Sequence, residues 1–86
     1  MEIKLFGKEM CHGCKVAKER ILSLIEHVDP KVKFNYYDLD TVDGLAEGSF
    51  YEVQHVPTIL ILNNDKVLWR FDGELPSDFE KYLKWK

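Results

Sequence analysis

Cysteine is nearly absent from this 86-residue sequence, which holds only two, Cys11 and Cys14. A scaffold stapled by several disulfides is therefore excluded. Proline occurs three times and glycine five times, with no repeat, linker or low-complexity tract between them. No apolar run is longer than Ile59-Leu60-Ile61-Leu62, far short of a membrane span. Basic residues are outnumbered, 12 Lys and Arg against 15 Asp and Glu, and the net charge is -3. That balance leaves no concentrated basic face for nucleic acid. Lys31, Lys33, Lys81, Lys84 and Lys86 alternate with apolar residues and read as solvated faces. A signal peptide is not expected, because Glu2 and Lys4 interrupt the opening Met1-Glu2-Ile3-Lys4-Leu5-Phe6. The expected setting is thus a reducing cytoplasm and a monomer without nucleic-acid or membrane partners, where a paired cysteine motif is more often catalytic or metal-binding than structural.

What is present is enough for one core. With 45% hydrophobic and 31% charged residues the composition is that of a folded globular chain. At this length residues 1–86 form a single domain. Ile3 to Phe6 alternates and stops at Gly7, as a strand does. From Cys14 the apolar positions fall at Cys14, Ala17, Ile21, Leu24, Ile25 and Val28, a helical stripe that Pro30 terminates. Val32, Phe34 and Tyr36 alternate with polar residues in a second strand, closed by Asp38 and Asp40. Thr41 to about Phe50 suits a short helix with Val42, Leu45 and Ala46 on its apolar side, weakened by Gly44 and Gly48. The wholly apolar run after Pro57 suits a central strand covered on both faces. Asn63-Asn64-Asp65 is a turn, and Val67, Trp69 and Phe71 share one face of the strand that follows. Ser77-Asp78-Phe79-Glu80 fits a capping box ahead of a last helix with Phe79, Tyr82 and Leu83 inward. The predicted class is α/β, with element order βαβαββα, a four-stranded mixed sheet and helices on both faces in a three-layer sandwich.

The two cysteines fall where the first strand gives way to the first helix. None of Ser, Thr, Asp or Asn stands there to accept the first free amides. A thiolate at Cys11 would take their place, stabilised by those amides and by the positive end of the helix dipole. A free thiol with a pKa of about 8.5 is only slightly ionised at neutral pH, whereas one lowered to about 7 is half ionised. Cys14, one turn on, begins the buried stripe. The order of attack follows: Cys11 opens a target disulfide, and Cys14 resolves the mixed disulfide. Two other readings stand beside this one. A structural disulfide closing so short a loop restricts the unfolded chain by only roughly 2 kcal/mol. A zinc site or iron–sulfur cluster needs about four ligands, so this pair would require a second subunit, making a metal-bridged dimer.

Cys11-His12-Gly13-Cys14 between strand and helix, together with Val56-Pro57-Thr58 just before the apolar strand, resembles the thioredoxin superfamily over nearly the whole chain. The resemblance implies a thioredoxin-like fold and a protein-disulfide reductase with no bound cofactor beyond the redox-active Cys11–Cys14 disulfide. It further implies a cis Pro57 against the cysteine pair, and a Val56 backbone that binds an extended segment of a disulfide-containing protein substrate. Length, and Lys8 three residues before Cys11, are similar to glutaredoxins, in which such a lysine meets the carboxylate of glutathione. The ending from Phe71 through Gly73-Glu74-Leu75 is similar to thioredoxins instead, with Gly73 keeping the chain flat beside the site. The expected electron donor is accordingly a thioredoxin-type reductase, with glutathione as the alternative. Three departures stand out. Met10 replaces the thioredoxin tryptophan, His12 and Gly13 lack the usual proline, and Leu5 falls near the family's buried acid. His12, next to Cys11, is a candidate to stabilise the thiolate when protonated.

Overall fold

The computed structural model describes residues 1–84, so Lys86 lies outside the described residues. The elements are β1 (Glu2–Gly7), α1 (His12–Val28), β2 (Lys33–Asp38), α2 (Val42–Phe50), β3 (Thr58–Asn63), β4 (Lys66–Asp72) and α3 (Glu80–Leu83). The four strands form one mixed sheet, as the sequence predicts, in the order β2-β1-β3-β4. β1 pairs parallel with β2 across the α1 crossover, then antiparallel with β3, and β3 and β4 form a hairpin. Asn64 and Asp65 turn that hairpin with φ of 52° and 66°, the left-handed backbone that a tight two-residue connection favours. Among the described residues no helix is long and apolar enough to cross a membrane.

Strand periodicity distributes the core over both faces of the sheet. Ile3 and Leu5 of β1 and Ile59 and Ile61 of β3 meet Ala17, Ile21 and Ile25 of α1, with Phe79 and Leu83 beside them. On the opposite face Phe6, Leu60 and Leu62 pack against Tyr37, Leu39, Tyr51 and Val53. Lys4 shares that face, and although nearly buried it is satisfied: its ammonium bonds Glu47 Oε2 of α2 at 2.5 Å and the Tyr51 hydroxyl at 3.2 Å. Burial alone would lower Lys4, but the bonds to Glu47 and Tyr51 outweigh it and hold the ammonium above its ordinary value.

Three sequence expectations are corrected. Val42, Leu45 and Ala46 do not form the inner side of α2; all three are exposed, and Gly44 and Gly48 are buried in their place. A Cβ on Gly44 would sit 1.9 Å from the Asp38 carbonyl oxygen, so the helix approaches β2 by backbone and any side chain there would block it. Val67 does not share the face of Trp69 and Phe71: the β3–β4 register shifts between Ile61 and Leu62, which pairs Val67 with Leu62 and leaves it partly exposed. The capping box does not form either. Residues 77–79 are a turn, and Phe79 precedes α3 with no side-chain cap. Phe79 N–H bonds the Pro76 carbonyl and Tyr82 N–H bonds the Phe79 carbonyl, so tight backbone turns lead into α3 where a Ser77 cap was expected.

Candidate functional site

Helix α1 begins on sulfur. Cys11 is its N-cap in extended conformation (φ -92°, ψ 109°), and its Sγ accepts the backbone N–H of Cys14 at 3.1 Å. Cys11 N–H in turn donates to the Lys8 carbonyl at 3.1 Å, which fixes the approach from β1 into the helix. Cys14 follows one turn later, 1% exposed against the half-buried Cys11. The two are joined in a disulfide with a Cα–Cα distance of 5.2 Å. The first turn of α1 contains no acidic residue, so no side-chain carboxylate competes with a sulfur anion there.

Gly7 makes room for the pair. A Cβ at that position would stand 2.9 Å from Cys14 Sγ and 3.0 Å from the Tyr36 hydroxyl, so sulfur and phenol close in on the end of β1 from two sides. Sequence reasoning treated Gly7 only as a strand end. Its place four residues ahead of Cys11 was the available signal.

The other half of the site comes from the start of β3. The Val56–Pro57 peptide bond is cis, as the resemblance implied, and Pro57 is buried. A Cβ on Gly13 would lie 3.7 Å from Pro57 Cδ, so α1's first turn and the proline are neighbours. Gly73 has φ +94°, a backbone that favours glycine, and its N–H donates to the Pro57 carbonyl at 2.8 Å. An apolar groove of about 340 Å³ runs past these residues, with His12, Val16 and Ala17 on one bank and Glu74 and Leu75 on the other. Arg20 ties the banks together, donating to the Pro76 carbonyl at 2.9 Å and the Ser77 carbonyl at 2.5 Å. Met10, 93% exposed, projects just before Cys11.

The structure therefore gathers His12, Gly13, Pro57 and Gly73 on one groove at the first turn of α1, with Cys11 capping that turn, Cys14 buried behind it and the partly exposed Val56 next to the proline. Thr58 lies beneath it, fully buried, its hydroxyl donating to the His55 carbonyl at 2.6 Å and to Asp72 Oδ1 at 3.3 Å. Lys8 is exposed and lines a different cleft, with Cys14, Tyr36 and Asp38. Among the described residues no group of three or more His, Cys, Asp or Glu side chains is arranged to hold a metal ion. Val16, Arg20, Glu74 and Leu75, absent from the sequence-derived site, line the groove because helix and loop meet there.

An α/β sheet of this order, with a disulfide at the start of α1 and a cis proline beside that helix's first turn, defines a thioredoxin fold. The family model for thioredoxin matches residues 3–85, and the chain belongs to that family. It is 32% identical over 80 residues to mitochondrial thioredoxins of mouse and cattle, a match covering 92% of this chain and 47% of theirs. The chain thus spans about half the length of the curated relatives it matches. Among solved structures it resembles thioredoxin 1 of Thermosipho africanus, at 22% identity and a TM-score of 0.80 over 98% of this chain and 96% of that one. It also resembles oxidised thioredoxin O2 of Arabidopsis thaliana, at 18% identity and a TM-score of 0.85 over 96% and 71%.

Proposed function

We propose that this chain is a protein-disulfide reductase working by dithiol exchange. The observation that carries the reading is the capping of α1 by Cys11 Sγ, with Cys14 buried one turn behind it. In the reduced protein the same amide and helix dipole favour a thiolate at Cys11, the more accessible sulfur. That thiolate attacks one sulfur of a target disulfide and displaces the other. Cys14 then attacks Cys11, releases the reduced target and restores the Cys11–Cys14 disulfide. No metal or organic cofactor takes part.

The groove beside Pro57 accepts an extended segment of the target. Main-chain hydrogen bonds to Val56 give affinity largely independent of target sequence. Gly13 and Gly73 leave the approach free of side chains, and His12 lies at its edge beside the thiolate. Thr58 supports the floor from below through His55 and Asp72. A thioredoxin-type reductase re-reduces the pair, the protein acts as a monomer, and its compartment is the reducing cytoplasm. The separation of Lys8 from the groove weighs against glutathione as donor, because the expected carboxylate contact and the Pro57–Gly73 surface do not share one pocket.

The test is turnover of insulin disulfides. Dithiothreitol or a thioredoxin-type reductase should support it, and glutathione with glutathione reductase should support it poorly. Cys14→Ser should hold targets as mixed disulfides recoverable from extract. Efficient glutathione-driven turnover would transfer the chain to the glutaredoxin reading, and iron or zinc in anaerobically purified protein would favour a bridged dimer.

A further inference from the structure

Apart from the groove, a second cleft, of about 200 Å³, is lined by Cys14. Tyr36 and Asp38 reach it from β2. Cys14 Sγ and the Tyr36 hydroxyl stand 2.9 and 3.0 Å from the position a Cβ would take at Gly7, so they lie within about 6 Å of each other, and in the disulfide form they share no hydrogen bond. A side chain at Gly7 would meet both and close the space between them. Leu5, paired with Tyr36 across the sheet, brings no polar atom to this side. Lys18 stands over the face of the Tyr36 ring, 4.9 Å from its centroid, which leaves the hydroxyl edge free. Asp38 Oδ1 accepts the Asp40 amide at 2.8 Å. The remaining charged groups on the cleft, Lys8, Glu9 and Lys15, are exposed.

We propose that the Tyr36 hydroxyl donates a hydrogen bond to the Cys14 sulfur as that sulfur becomes a thiolate, and thereby speeds release of the target. This rests on the dithiol-exchange reading and deepens it. In the release step the Cys14 S–H gives its proton to water in the cleft. The thiolate attacks Cys11 Sγ, the Cys11–Cys14 bond forms, and the bond between Cys11 and the target breaks. The target sulfur leaves with the electron pair and takes a proton from solvent, so two electrons pass from the dithiol to the target. Tyr36 neither gains nor loses a proton overall. Burial, then the negative charges of Asp38, Asp40 and Glu9, push its hydroxyl above the ordinary tyrosine value, which keeps it protonated and a donor throughout the neutral range.

Stopped-flow reaction of the reduced protein with dithiobis-nitrobenzoate separates the two steps, because each ejects one coloured thiolate. Attack by Cys11 appears as a concentration-dependent phase, and attack by Cys14 as a concentration-independent one. Tyr36→Phe should slow the second phase about tenfold at neutral pH and move its pH midpoint upward, as expected for loss of a hydrogen bond to a charged group. The first phase should be unchanged, which also certifies the fold. An unaltered second phase, both phases slowing together, or an unmoved pH midpoint of the second phase would overturn the proposal. Wild-type protein that ejects a single thiolate would instead sink the dithiol-exchange reading itself.

Discussion

Helices α1 and α2 begin in the same way and serve different ends. Each opens on a residue in extended conformation whose side chain accepts the N–H three positions on: Cys11 Sγ from Cys14, and Thr41 Oγ1 from Gly44 at 3.0 Å. In α2 the acceptor is an inert hydroxyl, so capping is all it does. In α1 the acceptor is a sulfur, so the slot that usually stabilises a helix also sets against backbone dipoles the group proposed as nucleophile. Their packing is reversed as well. α1 turns an aliphatic stripe inward, whereas α2 turns two glycines inward and leaves Val42, Leu45 and Phe50 exposed. The cysteine pair sits on the helix anchored by side chains, while the glycine-packed helix covers the other face of the sheet.

That comparison can be broken at several points. The largest effect belongs to Cys11→Ser, which should abolish insulin-disulfide reduction. Serine is itself a good cap, so denaturant unfolding of reduced variant and reduced wild type should agree within about 1 kcal/mol. A large loss of stability would mean that the sulfur does more for the fold than cap it. Gly44→Ala comes next, because its Cβ would collide with the Asp38 carbonyl; a loss of about 3 kcal/mol is expected by the same measurement. Thr41→Ala should cost about 1 kcal/mol, the ordinary worth of a cap, with insulin reduction unchanged.

A smaller effect should appear with pH. Lys4 is held above its ordinary 10.5, so the folded state keeps a proton that the unfolded chain gives up. Its contribution is complete below about 10.5 and fades as pH rises through the folded value. Unfolding followed by circular dichroism should therefore show an alkaline decline that Lys4→Met flattens. Smallest of all, Leu45→Gln should change stability by no more than about 0.5 kcal/mol, since that side chain already faces solvent.

The parts of the fold legible in the sequence are those in which side chains carry the pattern. The stripe from Cys14 to Val28, the apolar β3 and the inward Phe79 and Leu83 all wrote themselves as periodicity, and all are where periodicity put them. α2 was misread because its packing surface is backbone: a buried glycine leaves no apolar letter, and the letters that remain point outward. Val67 was misplaced by a register shift that alternation alone cannot encode. At the site, the sulfurs and Pro57 were readable as motifs, but the groove was not, since Arg20 and Leu75 are 55 residues apart and meet only through α1 and the loop after Gly73. Lys8 reads as a neighbour of Cys11 along the chain, yet it lines a different cleft from the one beside Pro57.

The grip of Arg20 on two successive carbonyls makes the groove's width adjustable from one position. A guanidinium is a rigid fork and can hold both oxygens at once, whereas a lysine offers a single pivot. Exchanging one for the other would slacken the outer bank while leaving both sulfurs in place, which on the proposed function offers a handle for widening the range of accepted polypeptides without touching the cysteine pair.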